Sequence, residues 1–196
     1  MWGSAAERRT AADAPQYRVA SPTRRAMLAA PEIDPASPLL FVINAASGSE
    51  DGEAKRQLIK TALAAAGRSG DLRLCSSDGL SRIAEQAAAE ALATRTAVVA
   101  VGGDGTINTV AQAAHAVGCA MGVIPQGTFN YFARTHGIPG DAAEAARMLL
   151  QAQPVPVQVA AINDRVFLVN ASLGLYPELT RRFVQRRERD SNPRYG

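Results

Sequence analysis

Short apolar runs set off by polar or glycine-containing stretches organise the middle of the chain. Leu39-Leu40-Phe41-Val42-Ile43 has no polar alternation and is too short for a buried helix, so it predicts a strand covered on both faces of a parallel sheet. A polar turn over 44–52 leads into a helical pattern, with Leu58, Ile59, Ala62, Leu63 and Ala66 on one face and a stop near Gly67 and Gly70. Leu72 to Cys75 reads as a second strand. Leu80 to Leu92 follows as a second helix, with Ile83, Ala87 and Ala91 at helical spacing. Ala97 to Val101 is a third strand, Thr106 to Val117 a third helix, and Ala120 to Ile124 a fourth strand. Strands and helices alternating through short connections predict an α/β fold: an open, mostly parallel sheet with helices on both faces, Rossmann-like in plan.

The grammar changes after Pro125. Residues 127–135 read as a loop with one aromatic helical turn, and Asp141 to Gln151 as a helix with Asp141 at its N-cap. Val155, Val157, Val159 and Ala161 alternate with other residues, Asn163-Asp164 forms a turn, and Arg165 to Val169 returns, which predicts an antiparallel hairpin. Prolines at 15, 22, 31, 35 and 38 break any element before the first strand. The expected organisation is a disordered leader over 1–37, an α/β nucleotide-binding domain over 38–153, and over 154–196 the start of a truncated β domain with a basic tail. Apolar hairpin surface without its packing partners would favour self-association, so a homodimer is among the expected partners.

Composition narrows the function classes. The apolar fraction of 47% includes 39 alanines, so the core must come from a smaller set of larger side chains. No apolar run approaches the length of a membrane span and no signal-peptide core is visible, so a cytoplasmic location is expected. The net charge of +3 is unevenly placed. Residues 39–176 carry 10 basic and 11 acidic groups, whereas 177–196 carry 6 and 3. A near-neutral body with 5% aromatic residues lacks the basic, aromatic-laced footprint of a nucleic-acid binder, and no nucleic-acid partner is expected. The arginines between 181 and 189 suit a peripheral position on the inner membrane face. Cys75 and Cys119 lie in apolar segments and are expected as buried thiols, not as a disulfide or a zinc site.

The chemistry concentrates at Gly102-Gly103-Asp104-Gly105-Thr106, between a buried strand and a helix. In an open parallel sheet this is the carboxyl edge, where ligands bind. Glycines let backbone N–H groups approach an anion, and the following helix adds unpaired donors and a positive dipole end, which together suit a phosphate. A tight turn that uses glycine only for geometry is the competing explanation. No lysine follows the last glycine, which excludes a Walker loop, and Asn108 stands where a dinucleotide fingerprint needs its third glycine. Asp104 would repel phosphate unless a cation intervenes, so it is a candidate for Mg²⁺, directly or through water, and alternatively the N-cap of the third helix.

Four motifs in order carry a resemblance. Gly102-Gly103-Asp104-Gly105-Thr106 with Asn108, Gln126-Gly127-Thr128-Phe129-Asn130, Asn44-Ala45-Ala46-Ser47-Gly48, and Asn170-Ala171-Ser172-Leu173-Gly174 resemble elements of the diacylglycerol kinase catalytic domain family. That resemblance implies phosphoryl transfer from Mg-ATP to a lipid hydroxyl at a membrane surface. It implies that Gly102, Gly103, Asp104, Gly105, Thr106 and Asn108 line the nucleotide phosphates, that Ser47 and Gly48 face them, and that Gly127 and Thr128 add a further contact. Arg134 is a candidate for neutralising phosphate charge. The catalytic base is not assignable here and is expected beyond Gly196, in a second domain of the family, so little kinase activity is expected of these 196 residues alone. Departures from the family pattern are Ala45 for Pro, Thr109 for Glu, Tyr131 for Asp, and Cys75 for a nucleotide-contacting Thr. Phe129 and Tyr131 are expected as packing aromatics. A non-catalytic nucleotide-binding protein and an NAD kinase-like enzyme are the alternatives.

Overall fold

The structure, a computed structural model, describes residues 30–46 and 52–169. Its elements are β1 (Leu39–Asn44), α1 (Gly52–Ala65), β2 (Gly70–Cys75), α2 (Leu80–Ala93), β3 (Ala97–Gly102), α3 (Asp104–Val117), β4 (Ala120–Pro125), α4 (Tyr131–Thr135), α5 (Ala142–Gln151), β5 (Ala160–Ile162) and β6 (Arg165–Phe167). The first four strands form one parallel sheet in the order β2-β1-β3-β4, and β5 and β6 pair separately and antiparallel. The expected fold class is therefore what the structure shows.

Every residue of β1 and β3 is buried, as an uninterrupted apolar run in a central parallel strand requires. Side chains alternate across the sheet. Leu40, Val42, Val98 and Ala100 face α2 and α3, while Leu39, Phe41, Ile43, Val99 and Val101 face α1 and α5. The alanines find their use here, since Ala84, Ala87, Ala88 and Ala91 are wholly covered and let α2 lie close to the sheet and to α3. Asp141 caps α5 as expected, its carboxylate accepting from the Glu144 N–H at 2.8 Å. Asp141→Ala should cost about 1 kcal/mol in chemical denaturation.

Two boundaries differ from expectation. Residues 33–37, placed in the leader by composition, contact the body: Ile33 packs on the core, the Asp34 N–H donates to Arg95 O, and the Ser37 hydroxyl donates to Thr94 O. The strand expected from Val155 onward begins only at Ala160. Pro154 and Pro156 remove alternate N–H donors, so the stretch keeps its apolar alternation but cannot form a ladder, and Val155 is 73% exposed. The hairpin turn itself matches the expectation. Asn163 and Asp164 have φ of 49° and 63°, the pair of left-handed residues that a two-residue type I′ turn needs. Residues 1–29, the Asn170–Gly174 motif and the arginine-rich stretch after 180 lie outside the described residues.

Candidate phosphate site

The strand order reverses direction between β1 and β3, so the carboxyl ends of those two strands frame a crevice. Asn44 ends β1 and Gly102 ends β3, and side chains tie the two ends together. The Asn44 amide donates to Thr106 Oγ1 at 3.0 Å, its Oδ1 accepts from the Ala46 N–H, and the buried Lys55 ammonium donates to Asn44 O at 3.3 Å. Thr106 is therefore buried and turned toward β1. A Cβ on Gly102 would fall 2.6 Å from Thr106 Oγ1, which is why that position carries no side chain.

The next glycine meets the second loop. A Cβ on Gly127 would fall 2.6 Å from Gly103 Cα, and one on Gly103 would fall 3.2 Å from Gly127 Cα, so the loops touch backbone to backbone. Asn130 sits in the left-handed region at φ 49° and grips Gly127 at both ends: its Oδ1 accepts from the Gly127 N–H and its Nδ2 donates to Gly127 O, both at 2.9 Å. No side chain caps the start of α3. The N–H groups of its first turn are consequently without an internal helical partner, at the positive end of a 14-residue helix that starts from the carboxyl end of β3. Thr128 is exposed on the second loop.

Asp104 is not the N-cap of its own helix, since Gly103 holds that position. Its carboxylate instead accepts from the Tyr131 and Phe132 N–H groups, at 3.1 and 3.2 Å, and so caps α4 from 27 residues away. Asn108 lies further along α3, where its amide donates to Val166 O and accepts from the Leu168 N–H, so its side chain holds β6. Phe129 and Tyr131 are not packing aromatics. They are 62% and 49% exposed and stack on each other at 5.5 Å. Arg134 is exposed on α4, and Ser47 and Gly48 lie outside the described residues. Cys75 is half-buried, and burial pushes its thiol up from the ordinary value, so it stays protonated at neutral pH. Burial likewise raises Cys119.

A cleft of about 200 Å³ opens where these parts meet, between Asp104, Gly105 and Asn108 of α3, apolar Ile107 and Phe132, and Leu168 and Val169 at the end of the hairpin. Its size suits a phosphate group and its immediate neighbours, being smaller than the 300–1,000 Å³ or so of a pocket that encloses a whole ligand. A Cβ on Gly105 would meet nothing within 4 Å, so no protein neighbour demands glycine there. Gly105→Ala should raise stability by up to about 1 kcal/mol through helix propensity while weakening whatever ligand fills the cleft. Thermal melting and titration calorimetry would show the two effects moving in opposite directions.

Residues 38–162 match the sequence profile described as the diacylglycerol kinase catalytic domain. A curated relative from Pseudomonas aeruginosa (strain UCBPP-PA14), named "Probable lipid kinase YegS-like", is 39% identical over 134 residues, covering 65% of this chain and 43% of the relative. A protein of the same name from Klebsiella pneumoniae (strain 342) is 43% identical over 79 residues, 39% of this chain and 27% of its own length. Among solved structures, a diacylglycerol kinase from Bacillus anthracis str. Sterne superposes with a TM-score of 0.56 at 29% identity, covering 67% of this chain and 45% of that one. The chain thus spans less than half the length of these relatives.

Proposed function

Because this chain belongs to the diacylglycerol kinase catalytic domain family, we propose that it binds Mg-ATP with its phosphates at Gly102–Thr106 and serves phosphoryl transfer to a lipid hydroxyl at a membrane surface. The observation that carries this reading is the uncapped start of α3 facing a loop held by the contact between Gly103 and Gly127. Phosphoryl transfer asks a protein mainly for positioning and charge neutralisation, and a fixed set of backbone donors supplies both without reorganisation.

In this reading the first-turn N–H groups of α3 hold phosphate oxygens, the Thr128 hydroxyl approaches from the second loop and the Arg134 guanidinium from α4. Thr106 acts indirectly, by holding the glycine loop to β1 through Asn44. Asn108 acts indirectly too, through the hairpin. The residues fit a magnesium ion carried in by the triphosphate and not a metal cage built by protein. Among the described residues no three His, Cys, Asp or Glu cluster, while each Asp104 oxygen takes one N–H and keeps lone-pair capacity. When bound, the ion would neutralise phosphate charge, and Asp104 would orient its water shell. Ile107, Phe132, Leu168 and Val169 give the cleft an apolar side that suits the hydrocarbon of a lipid acceptor and excludes water. Among the described residues no helix is long and apolar enough to cross a membrane.

Transfer of radiolabel from γ-labelled ATP to a panel of diacylglycerols and sphingoid bases, with NAD in parallel, tests the proposal. Mg-ATP binding that is lost in Gly103→Val, with at most weak, magnesium-dependent lipid labelling, supports it. Labelling of NAD, or ATP affinity unchanged in a folded Gly103→Val protein, overturns it.

A further inference from the structure

The hairpin β5–β6 is a two-stranded sheet, too small to hold itself in place, and α3 takes the part of a third strand beside it. Gln112 Oε1 accepts from the Val166 N–H at 2.6 Å, and its Nε2 donates to Asp164 O at 3.3 Å. One turn earlier, Asn108 Nδ2 donates to Val166 O at 3.1 Å and its Oδ1 accepts from the Leu168 N–H at 3.2 Å. The free edge of β6 at 164, 166 and 168 is thus met by two side-chain amides, each donating once and accepting once. The spacing makes this workable. Positions four apart on a helix are about 6 Å apart along its axis, and positions two apart on a strand about 6.7 Å. Among side chains of this length only a carboxamide offers a donor and an acceptor together, so carboxylates or alkyl chains cannot reproduce the pattern.

The splint sits on the helix that starts from the carboxyl end of β3. Beyond it the hairpin continues to Leu168 and Val169, which wall the cleft opposite Gly105. Gln112 itself does not line the cleft and lies outside every motif. We infer that Gln112, together with Asn108, is a positioning residue that registers the hairpin on α3 and thereby sets the wall of the cleft, so that a ligand at the glycine loop and the hairpin respond as one unit. This rests on the Mg-ATP reading for the identity of the ligand, but not for the splint.

Amide hydrogen exchange on the full chain tests it, in three proteins: parent, Gln112→Met and Gln112→Glu. Methionine keeps the length and removes both bonds, and the Val166 N–H should exchange at least about tenfold faster, with α3 and the parallel sheet unaffected. Glutamate restores the acceptor, so protection of Val166 should return in that variant, a rescue that a packing role would not produce. Saturating Mg-ATP should slow Leu168 exchange in the parent and less so in Gln112→Met, whose ATP dissociation constant should rise by the factor of protection lost, because coupling between two sites is reciprocal. Equal Val166 exchange in parent and Gln112→Met overturns the splint. Mg-ATP binding without added Leu168 protection in the parent overturns the coupling. Absence of Mg-ATP binding in the folded parent overturns the proposed function instead, and ligand-free exchange still decides the splint.

Discussion

Gly127→Ala should lower Mg-ATP affinity by about 10- to 100-fold, the largest single-atom effect expected in this protein. The added Cβ would lie 2.6 Å from Gly103 Cα and 2.9 Å from Asn130 Oδ1. Backbone cannot rotate away as a flexible side chain can, so the clash is relieved only by parting the two loops. Parting them breaks the paired bonds between Asn130 and Gly127 and moves Gly103, which begins the first turn of α3. Overpacking of this kind costs about 1–3 kcal/mol, and here it falls on loops remote from most of the core. The melting temperature should therefore drop much less than the affinity. Calorimetry giving parental affinity in a folded Gly127→Ala protein would show that the contact between the loops does not shape the phosphate site.

Asp104→Ala comes next in size. It strips two charge-assisted bonds from the start of α4, at a cost of about 1–3 kcal/mol to that helix. α4 has only five residues, and the side chain of Asn130 before it is engaged by Gly127, so nothing else can replace the lost cap. Phe132 is nine-tenths covered in the same cluster as Ile107 and Val110, and it should gain exposure as α4 loosens. Nucleotide affinity should fall and become less dependent on magnesium, because the carboxylate that would orient the ion's water is gone. Asp104→Asn separates the two roles. It keeps one acceptor for α4 but removes the charge. If α4 holds and the magnesium dependence is unchanged in Asp104→Asn, the carboxylate serves only as a cap.

The parallel sheet was legible because β1 and β3 are uninterrupted apolar runs and the intervening helices repeat at 3.6 residues. The hairpin was legible because Asn163-Asp164 separates two apolar runs, and the structure makes that pair a type I′ turn. The glycine loop was legible as a tight connection between a buried strand and a helix, which is where the structure places it. What escaped is long-range. Asp104 and the amides of Tyr131 and Phe132 meet only through the fold, so local reasoning offered only a cation or the carboxylate's own helix as partners. Asn108 carries the letter of a nucleotide motif, yet its partners lie 58 and 60 residues ahead. Gln112 gave no signal at all, since an amide on a half-buried helix face looks like any other polar residue. The strand expected from Val155 failed for a reason visible in the sequence, because Pro154 and Pro156 should have outweighed the alternation of valines.

The sheet also divides the interior into two layers, bridged at the side-chain level by Ile138, which packs against both. α3 and its glycine loop belong to the layer with α2, whereas α5 packs on the other face, where Leu149 lies against Gly122 of β4. Changes in separate layers that avoid this common partner tend to add independently. Directed evolution of this protein therefore has a side on which thermal resistance can be tuned, through the contact of α5 with the sheet, with little effect on the layer that carries the glycine loop.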